Sequence, residues 1–239
     1  MDKPGTLYLI PTALGSGDAR TVLPESTLRQ LSALTRFIVE NPKSARQFLK
    51  AAGYPHPLQG VELQTLDEHT SEAALPQLLE PLLAGRDCGL LPEAGCPAVA
   101  DPGAMLVRLA HERGIRVVPL VGPSAVLLAL MASGLNGQRF AFHGYLPVDK
   151  EERRLKLQDL ERDSQRADRT QVFIEAPYRN DAVLHAILDA CRADTLLCLA
   201  TDITLASESI HTRTINAWKQ KPPELNRRPT VFLLYRAVG

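Results

Sequence analysis

The sequence predicts an α/β protein built from two α/β domains, a mostly parallel N-terminal sheet and a mixed C-terminal sheet. In the first half of the chain, short apolar runs alternate with amphipathic segments that end at glycine, which is the pattern of repeated β-α-β units. After residue 122 the pattern changes, because β-rich runs follow one another with fewer helices between them. The predicted domains are residues 1–121 and residues 122–239.

Five short strands are predicted in the N-terminal domain because each run is apolar or β-branched and ends at proline, glycine or a polar turn. These strands cover residues 6–10, 36–39, 61–66, 88–91 and 115–120. The segments between them have helical spacing, and two of them stop at Gly53 and Gly85, as helices commonly do. The predicted helices cover residues 24–34, 43–52, 71–84 and 104–113.

The C-terminal domain begins with an apolar helix over residues 125–133, which Gly134 ends. A long charged helix and two shorter ones are predicted over residues 150–168, 180–191 and 215–219. The remaining β-rich runs predict strands over residues 139–143, 171–174, 195–200, 207–214 and 230–235. Several of these strands follow each other directly, which indicates a mixed sheet.

Composition limits the function classes. Lys plus Arg and Asp plus Glu both number 27, so the net charge is zero. That balance disfavours a protein held on nucleic acid mainly by long-range charge, although a local basic face is compatible with it. No apolar run reaches the length of a membrane span, and we expect no membrane association. The four cysteines have no CxxC spacing, which predicts no metal site and reduced thiols in a cytoplasmic protein.

The most informative segment is residues 92–103, which lies between a predicted strand and a predicted helix. Its two glycines permit close approach of the backbone, and its three prolines restrict the shape of the loop. In open α/β sheets, ligands bind at the carboxyl ends of the strands. The segment is therefore predicted to form one wall of a small-molecule site.

Five loops of this kind occur in order along nearly the whole chain, at residues 11–15, 93–103, 122–125, 144–147 and 175–179. Together they resemble the tetrapyrrole methylase superfamily of S-adenosylmethionine-dependent methyltransferases. Within it, the chain is most similar to the branch that methylates a cytidine ribose 2′-hydroxyl of small-subunit ribosomal RNA. The resemblance implies two α/β domains with S-adenosyl-L-methionine in the cleft between them, an RNA substrate and a homodimer.

Carried over position by position, the resemblance implies a set of residues that bind the cofactor. They are Pro11, Leu14, Gly15, Glu93, Ala94, Gly95, Cys96, Pro97, Ser124, Ala125, Glu175, Ala176, Ala200, Thr201, Pro229 and Thr230. Loops of glycine, alanine and proline suit such a ligand because they border a narrow slot with backbone donors and acceptors.

The chain departs from the branch at three places. Ser16 follows the first loop where the branch usually has asparagine, and the 92–95 segment begins with proline and glutamate in place of serine and aspartate. After the second strand the branch usually has Glu-Asp-Thr-Arg, whereas residues 40–43 are Glu-Asn-Pro-Lys. These differences predict a divergent subgroup whose contacts with substrate have changed.

Methyl transfer from a sulfonium requires an in-line approach, so positioning is the main task of the protein. A hydroxyl nucleophile also needs a general base, and the candidate catalytic residues are Glu93 and Glu175. Each candidate has a structural alternative. Glu93 could cap loop amides, Asp101 is more typical of a turn or helix cap, and His143 could simply pack beneath the next loop.

The candidate substrate residues are Tyr178, Arg179 and His69. Tyr178 and Arg179 together could stack on a base and hold a phosphate, but Arg179 could equally pair with Glu175. His69 follows a strand, where a cap made by Thr70 or Ser71 explains the segment as well. Two other functions stay open: methylation of a tetrapyrrole or other small metabolite, and catalytically silent binding of the cofactor.

Overall fold

The computed structural model describes residues 3–237. These residues fall into two compact units, which divide between Ser124 and Ala125. No helix in the described part of the chain is both long and apolar enough to cross a lipid bilayer.

The first unit contains a parallel sheet of five strands in the order β3-β2-β4-β1-β5. The strands are β1 (Thr6–Leu9), β2 (Arg36–Val39), β3 (Glu62–Thr65), β4 (Cys88–Leu91) and β5 (Arg116–Pro119). The helices are α1 (Glu25–Ser32), α2 (Pro42–Ala51), α3 (Leu75–Leu83) and α4 (Gly103–Glu112). The central strand β4 is buried at every position, as expected of a parallel sheet with both faces covered.

Two hydrophobic clusters cover this sheet. One contains Leu79 of α3 and Leu106 of α4, packed with Leu7 and Leu90 of the sheet. The other contains helix side chains from α1 and α2 together with Phe37. The predicted sheet with two covered faces is therefore confirmed, and all of its described strand pairs are parallel.

The second unit contains a mixed sheet in the order β6-β7-β10-β8-β9. Its strands are β6 (Phe140–Tyr145), β7 (Thr170–Ile174), β8 (Leu196–Thr201), β9 (Ser209–Thr214) and β10 (Thr230–Tyr235). Its helices are α5 (Ala125–Ser133), α6 (Lys150–Ala167), α7 (Asn180–Ala190) and α8 (Ile215–Gln220). Only β6 and β7 pair in parallel among these strands, and the other pairs are antiparallel, which confirms the predicted mixed sheet.

The core of the second unit lies between this sheet and helices α6, α7 and α8. Phe173 and Phe232 stack with ring centroids 5.5 Å apart, and Ile187 and Trp218 pack in the same cluster. Helix α5 contacts β9, where the Thr212 hydroxyl donates to the Ser133 carbonyl at 2.6 Å.

Several element boundaries differ from the sequence prediction, and three of the differences have a clear local cause. The helix predicted over residues 71–84 begins as a 3-10 turn, Glu72–Ala74, and α3 starts only at Leu75, where a proline occupies its first turn. Helix α6 ends one residue early because Asp168 adopts a left-handed conformation with φ 49°. Strand β6 runs on to Tyr145 across an irregular register, where Gly144 has φ +63°, rather than ending at residue 143.

Candidate functional site

In the first unit, the loops that follow β1, β4 and β5 contact one another. The Thr12 amide donates to the Gly95 carbonyl at 2.9 Å, which forms an isolated antiparallel bridge between two of the loops. The Cys96 thiol lies 3.4 Å from the carbonyl oxygen of Pro123 in the third loop. Predicted residues from separate parts of the sequence therefore meet at the carboxyl end of the parallel sheet.

Two glycines make this close contact sterically permissible. Gly95 has φ +75°, and a Cβ atom there would lie 3.2 Å from Cδ2 of Leu14. A Cβ atom on Gly122 would lie 2.3 Å from Cβ of Pro11, which no packed structure tolerates without movement. The shape of this loop cluster thus depends on having glycine at both positions, because any side chain there would crowd the neighbouring loop.

The segment over residues 92–103 is further fixed by Asp101. Ala98 and Ala100 have φ 64° and 58°, a left-handed conformation that non-glycine residues rarely adopt. One carboxylate oxygen of Asp101 accepts hydrogen bonds from the amides of Ala98 at 2.9 Å and Gly103 at 2.7 Å. Asp101 is therefore a turn residue, and burial raises the pKa of its carboxyl group.

Glu93 lies at the surface of the same loop. Its side chain is exposed, and one carboxylate oxygen accepts a hydrogen bond from the Ser44 hydroxyl at 3.3 Å. The Glu93 amide in turn donates a hydrogen bond to the Glu40 carboxylate at 3.2 Å. Burial, and then the negative charges of Glu93, Asp101 and Glu68, raise the pKa of Glu40.

In the second unit, the ends of β7 and β8 lie beside the start of β10. Thr201 and Thr230 are paired in the sheet register, and their hydroxyl oxygens are 3.2 Å apart. The Asp202 amide donates to the Pro229 carbonyl at 2.9 Å. Because Ile174 pairs with Val231, the residues that follow Ile174 also belong to this edge. The structure therefore brings together Glu175, Ala176, Ala200, Thr201, Pro229 and Thr230.

Glu175 and Arg179 form an ion pair at this edge. The distance from Nη2 of Arg179 to Oε2 of Glu175 is 3.2 Å, and both side chains are largely buried. The other oxygen of Glu175 accepts a hydrogen bond from the Ala176 amide at 2.9 Å. Arg179 is therefore paired with Glu175, which was the predicted alternative to its holding a phosphate of the substrate. Its neighbour Tyr178 is 73% exposed, so its ring is accessible to a ligand.

Two buried polar atoms beside the predicted positions have no hydrogen-bond partner among the described residues. They are Oγ1 of Thr12 in the first unit and Oδ1 of Asn180 in the second, whereas Oε2 of Glu175 and Nη2 of Arg179 contact each other as an ion pair. Buried polar atoms normally have partners, so groups of this kind are suited to a polar ligand. Sequence reasoning did not single out Thr12 or Asn180, although both are hydrogen-bonding residues directly beside predicted positions.

The remaining predicted residues occupy varied environments. Gly15 and Ala94 are exposed, Pro97 is buried, and Ser124 and Ala125 lie where the two units divide. His69 is exposed in a turn, where its amide donates to Oδ1 of Asp67 at 3.0 Å. Ser71 is the N-cap residue of the following 3-10 turn, although its side chain makes no capping hydrogen bond.

The other histidine candidate is His143. Its Nε2 atom lies 2.6 Å from Oε1 of Gln171. Gln171 in turn donates to Asp163 at 2.7 Å. His143 is thus held by a side-chain network of Gln171 and Asp163.

The cysteines are all free. Burial raises the pKa of the Cys88 thiol to about 11 and that of the Cys191 thiol to about 12, which keeps both protonated at neutral pH. In the described residues, no group of three or more His, Cys, Asp or Glu side chains is arranged to hold a metal ion.

No protein-family model matches the chain. Solved structures share its fold. The methyltransferase CobJ superposes with a TM-score of 0.64 and 20% sequence identity, covering 98% of this chain and 97% of that one. The uroporphyrin-III-C-methyltransferase of Thermus thermophilus gives a TM-score of 0.54 and 18% identity, with coverage of 97% and 92%. The two α/β units therefore have the tetrapyrrole methylase fold, as the order of loops predicted.

Relatives with known names have a higher sequence identity to this chain than these solved structures have. The protein named ribosomal RNA small subunit methyltransferase I of Xylella fastidiosa is 32% identical over 211 residues, which cover 88% of this chain and 72% of the relative. The protein of the same name from Escherichia coli O157:H7 is 32% identical over 233 residues, or 96% and 77% of the two chains. That of Mesorhizobium japonicum is 34% identical over 214 residues, or 88% and 68%. On this similarity the chain belongs to the ribosomal RNA small subunit methyltransferase I family, and it is a methyltransferase.

Proposed function

We propose that this protein transfers the methyl group of S-adenosyl-L-methionine to RNA of the small ribosomal subunit, at a ribose 2′-hydroxyl. The observation that carries the proposal is the 32% identity, over nearly nine tenths of this chain, to a relative named for small-subunit ribosomal RNA. The ribose as acceptor rests on the loop resemblance to the cytidine-2′-O-methyltransferase branch.

The residues present suit the proposed cofactor. S-adenosyl-L-methionine supplies a methyl group bound to a positively charged sulfonium. In the first unit, Gly95 and Gly122 let the loops approach closely, and the Thr12 hydroxyl has no hydrogen-bond partner among the described residues. In the second unit, Asn180 and the two paired threonines supply further polar atoms. We propose that each of these loop clusters contributes residues that bind the cofactor.

Glu93 is the better candidate for the general base. Its carboxylate is exposed and engaged only by a hydroxyl at 3.3 Å, so it is available to accept the proton of a ribose hydroxyl. Glu175 is buried, and its two carboxylate oxygens already contact the Arg179 guanidinium and the Ala176 amide, which leaves neither facing a substrate hydroxyl. In the proposed mechanism Glu175 therefore orients the loop with Arg179, while Tyr178 stacks on a base of the substrate.

We further propose that the protein works as a homodimer in the cytoplasm, where ribosomal RNA is found. The dimer rests on the family resemblance and on the large apolar side chains that α5 exposes, Leu127 at 51% and Met131 at 79%. Light scattering at micromolar concentration would give twice the 26.2 kDa of the chain if the dimer forms.

The proposed activity is tested with purified protein, tritiated S-adenosyl-L-methionine and a fractionated cell extract, including small ribosomal subunits, from a strain that lacks this protein. Label in the RNA should resist alkaline hydrolysis as a dinucleotide, because a methylated 2′-oxygen cannot attack the adjacent phosphate. A Glu93→Gln variant should lower the rate by about 10²-fold or more, whereas the exposed control Glu80→Gln should not.

Each of the other outcomes overturns part of the proposal. Label on a base rather than a ribose would contradict the 2′-hydroxyl acceptor and keep the RNA substrate. Label that enters only small molecules of the extract would favour methylation of a tetrapyrrole or other small metabolite. Cofactor binding without transfer to any fraction would favour a silent binder.

A further inference from the structure

A pocket of about 200 Å³ lies entirely within the second unit, and its lining includes neither Glu175 nor Arg179. It is formed by one face of β8 and β9 and by the segment that follows α8. Its lining includes Thr201, His211, Arg213, Trp218, Lys221 and Leu225. None of the positions that the family resemblance implied for substrate contributes to this pocket.

The floor of the pocket is apolar and fixed. Trp218 is 3% exposed, and its indole N–H donates to the Leu197 carbonyl at 2.9 Å. The guanidinium carbon of Arg213 lies 4.8 Å from the centre of the Trp218 ring. This cation–π contact holds the guanidinium in one orientation, which leaves its edge available to donate a forked pair of hydrogen bonds.

The rim of the pocket is basic. The side chains of His211, Arg213 and Lys221 belong to exposed residues, and no described carboxylate forms an ion pair with any of them. Arg228 also lines the pocket but is paired with Asp202 at 2.8 Å. The lining contains no Asp or Glu. A pocket with cationic donors and no acidic residue is suited to an anion that accepts a forked hydrogen bond.

We propose that this pocket binds a phosphodiester group of the RNA substrate, with Arg213 and Lys221 as the phosphate ligands. The proposal rests on the proposed function, and it adds a substrate-binding site to it. The guanidinium of Arg213 donates to two phosphate oxygens while the Lys221 ammonium adds a second positive charge.

The position of the pocket favours a nucleic-acid strand over a small free anion. Strand β9 is the edge of its sheet, and Ser209, His211 and Arg213 alternate along one face at a spacing of about 6.6 Å. That spacing is close to the distance between neighbouring phosphates of an RNA strand. Thr201, at the other end of the pocket, also belongs to the proposed cofactor cluster, so RNA held along β9 would lead towards the site of methyl transfer.

The test compares RNA binding and methylation by the wild type and by an Arg213→Gln, Lys221→Gln double variant. A second double variant, Lys50→Gln, Arg113→Gln, is the matched control, because it removes the same two charges from exposed residues in the other unit. We expect the pocket variant to raise the KM for small ribosomal subunits about 10-fold or more and to reduce the salt slope of RNA binding by about two. Its Kd for S-adenosyl-L-methionine and its kcat at saturating RNA should stay within twofold of the wild type.

Trp218 provides a direct reporter because it is the only tryptophan of the chain. Its fluorescence should change when an oligoribonucleotide from the small-subunit RNA is added to the wild type, and this change should be lost in the pocket variant. Lys221 lies in an exposed segment after α8. The single variant Lys221→Gln therefore tests the pocket without destabilising the fold if loss of Arg213 lowers the melting temperature. It should raise the KM about 3- to 10-fold.

Two outcomes would overturn the proposal that this pocket binds RNA. If both double variants weaken RNA binding equally, only overall charge matters and the pocket has no special role. If the pocket variant binds and methylates RNA like the wild type, the pocket is not an RNA site, although the proposed methyltransferase function stands. Absence of RNA methylation by the wild type would overturn the proposed function instead, and the Trp218 titration would then still decide whether the pocket binds RNA.

Discussion

The two loop clusters are stabilised by different means. In the first unit, the loops fit together because Gly95 and Gly122 have no side chain, and the carboxylates of Glu40 and Asp101 accept backbone N–H groups. In the second unit, buried carboxylates are paired with arginine, as in the Glu175–Arg179 contact. The first cluster therefore depends on backbone shape, and the second depends on charge balance. Substitutions should separate the two.

The largest effect is expected in the second unit. Arg179→Ala leaves the Glu175 carboxylate, whose side chain is 2% exposed, without its positive partner. Removing one member of a buried ion pair costs about 3–5 kcal/mol. We expect the free energy of unfolding to fall by about 3 kcal/mol or more, measured by chemical denaturation.

The matched control is Arg29→Ala, because Arg29 and Glu25 also form an i,i+4 pair, but with side chains 75% and 88% exposed. Exposed pairs contribute at most about 0.5 kcal/mol, so this variant should be almost neutral. Equal losses in the two variants would show that burial does not set the strength of the Glu175–Arg179 pair.

In the first unit, steric crowding should have the next largest effect. Gly122→Ala places a methyl group 2.3 Å from Cβ of Pro11, so one of the two loops must move. We expect the protein to lose about 1–3 kcal/mol of stability and to bind S-adenosyl-L-methionine more weakly. Gly17→Ala is the control, since nothing lies within 4 Å of its added carbon. A Gly122→Ala variant that melts and binds like the wild type would contradict the role given to close packing.

A smaller effect of opposite sign is expected at Thr12. Its buried hydroxyl has no partner among the described residues, so Thr12→Val should keep or raise the free energy of unfolding by up to about 1 kcal/mol. The same change should weaken S-adenosyl-L-methionine binding by about 2- to 10-fold, measured calorimetrically, because a hydrogen bond to the ligand is lost.

Thr27→Val is the control for Thr12→Val, because it removes a buried hydroxyl that does have a hydrogen-bond partner. Thr27 is also buried in the first unit, but its hydroxyl donates to the Val121 carbonyl at 2.7 Å. We expect Thr27→Val to lower stability by about 1 kcal/mol. If Thr12→Val were equally destabilising with unchanged cofactor binding, the hydroxyl of Thr12 would have a structural role.

These predictions also show what the sequence could and could not provide. The strands β2, β4 and β10 have the predicted bounds because their apolar runs end at strong turn signals. The order of the loops resembled that of the tetrapyrrole methylase superfamily, and this resemblance implied the fold.

The partners within the site were beyond sequence reasoning. Nothing in the sequence shows that the Glu93 amide is bound by Glu40, which lies 53 positions away. The pairing of Glu175 with Arg179 had an equal alternative, because i,i+4 spacing permits the contact without requiring it. The basic pocket at β9 depends on the register between β8 and β9, which periodicity alone does not fix.

The smallest expected effect concerns Glu40 and has a definite dependence on pH. Burial and the nearby charges of Glu93, Asp101 and Glu68 raise its pKa in the folded protein above the ordinary value of 4.5. Below that value both folded and unfolded chains carry the proton, so Glu40 does not affect stability. As the pH rises, the unfolded chain releases the proton first, and the folded protein loses stability until the folded pKa has been passed.

Glu40→Gln removes this penalty while keeping an oxygen that can accept the Glu93 amide hydrogen. The variant should therefore melt at the same temperature as the wild type at about pH 4, and up to about 2 °C higher at about pH 7. Glu80→Gln, at an exposed position of α3, should show no such divergence with pH. A Glu40→Gln variant that melts lower than the wild type at neutral pH would mean that the carboxylate charge stabilises this loop cluster, which would make the first unit resemble the second.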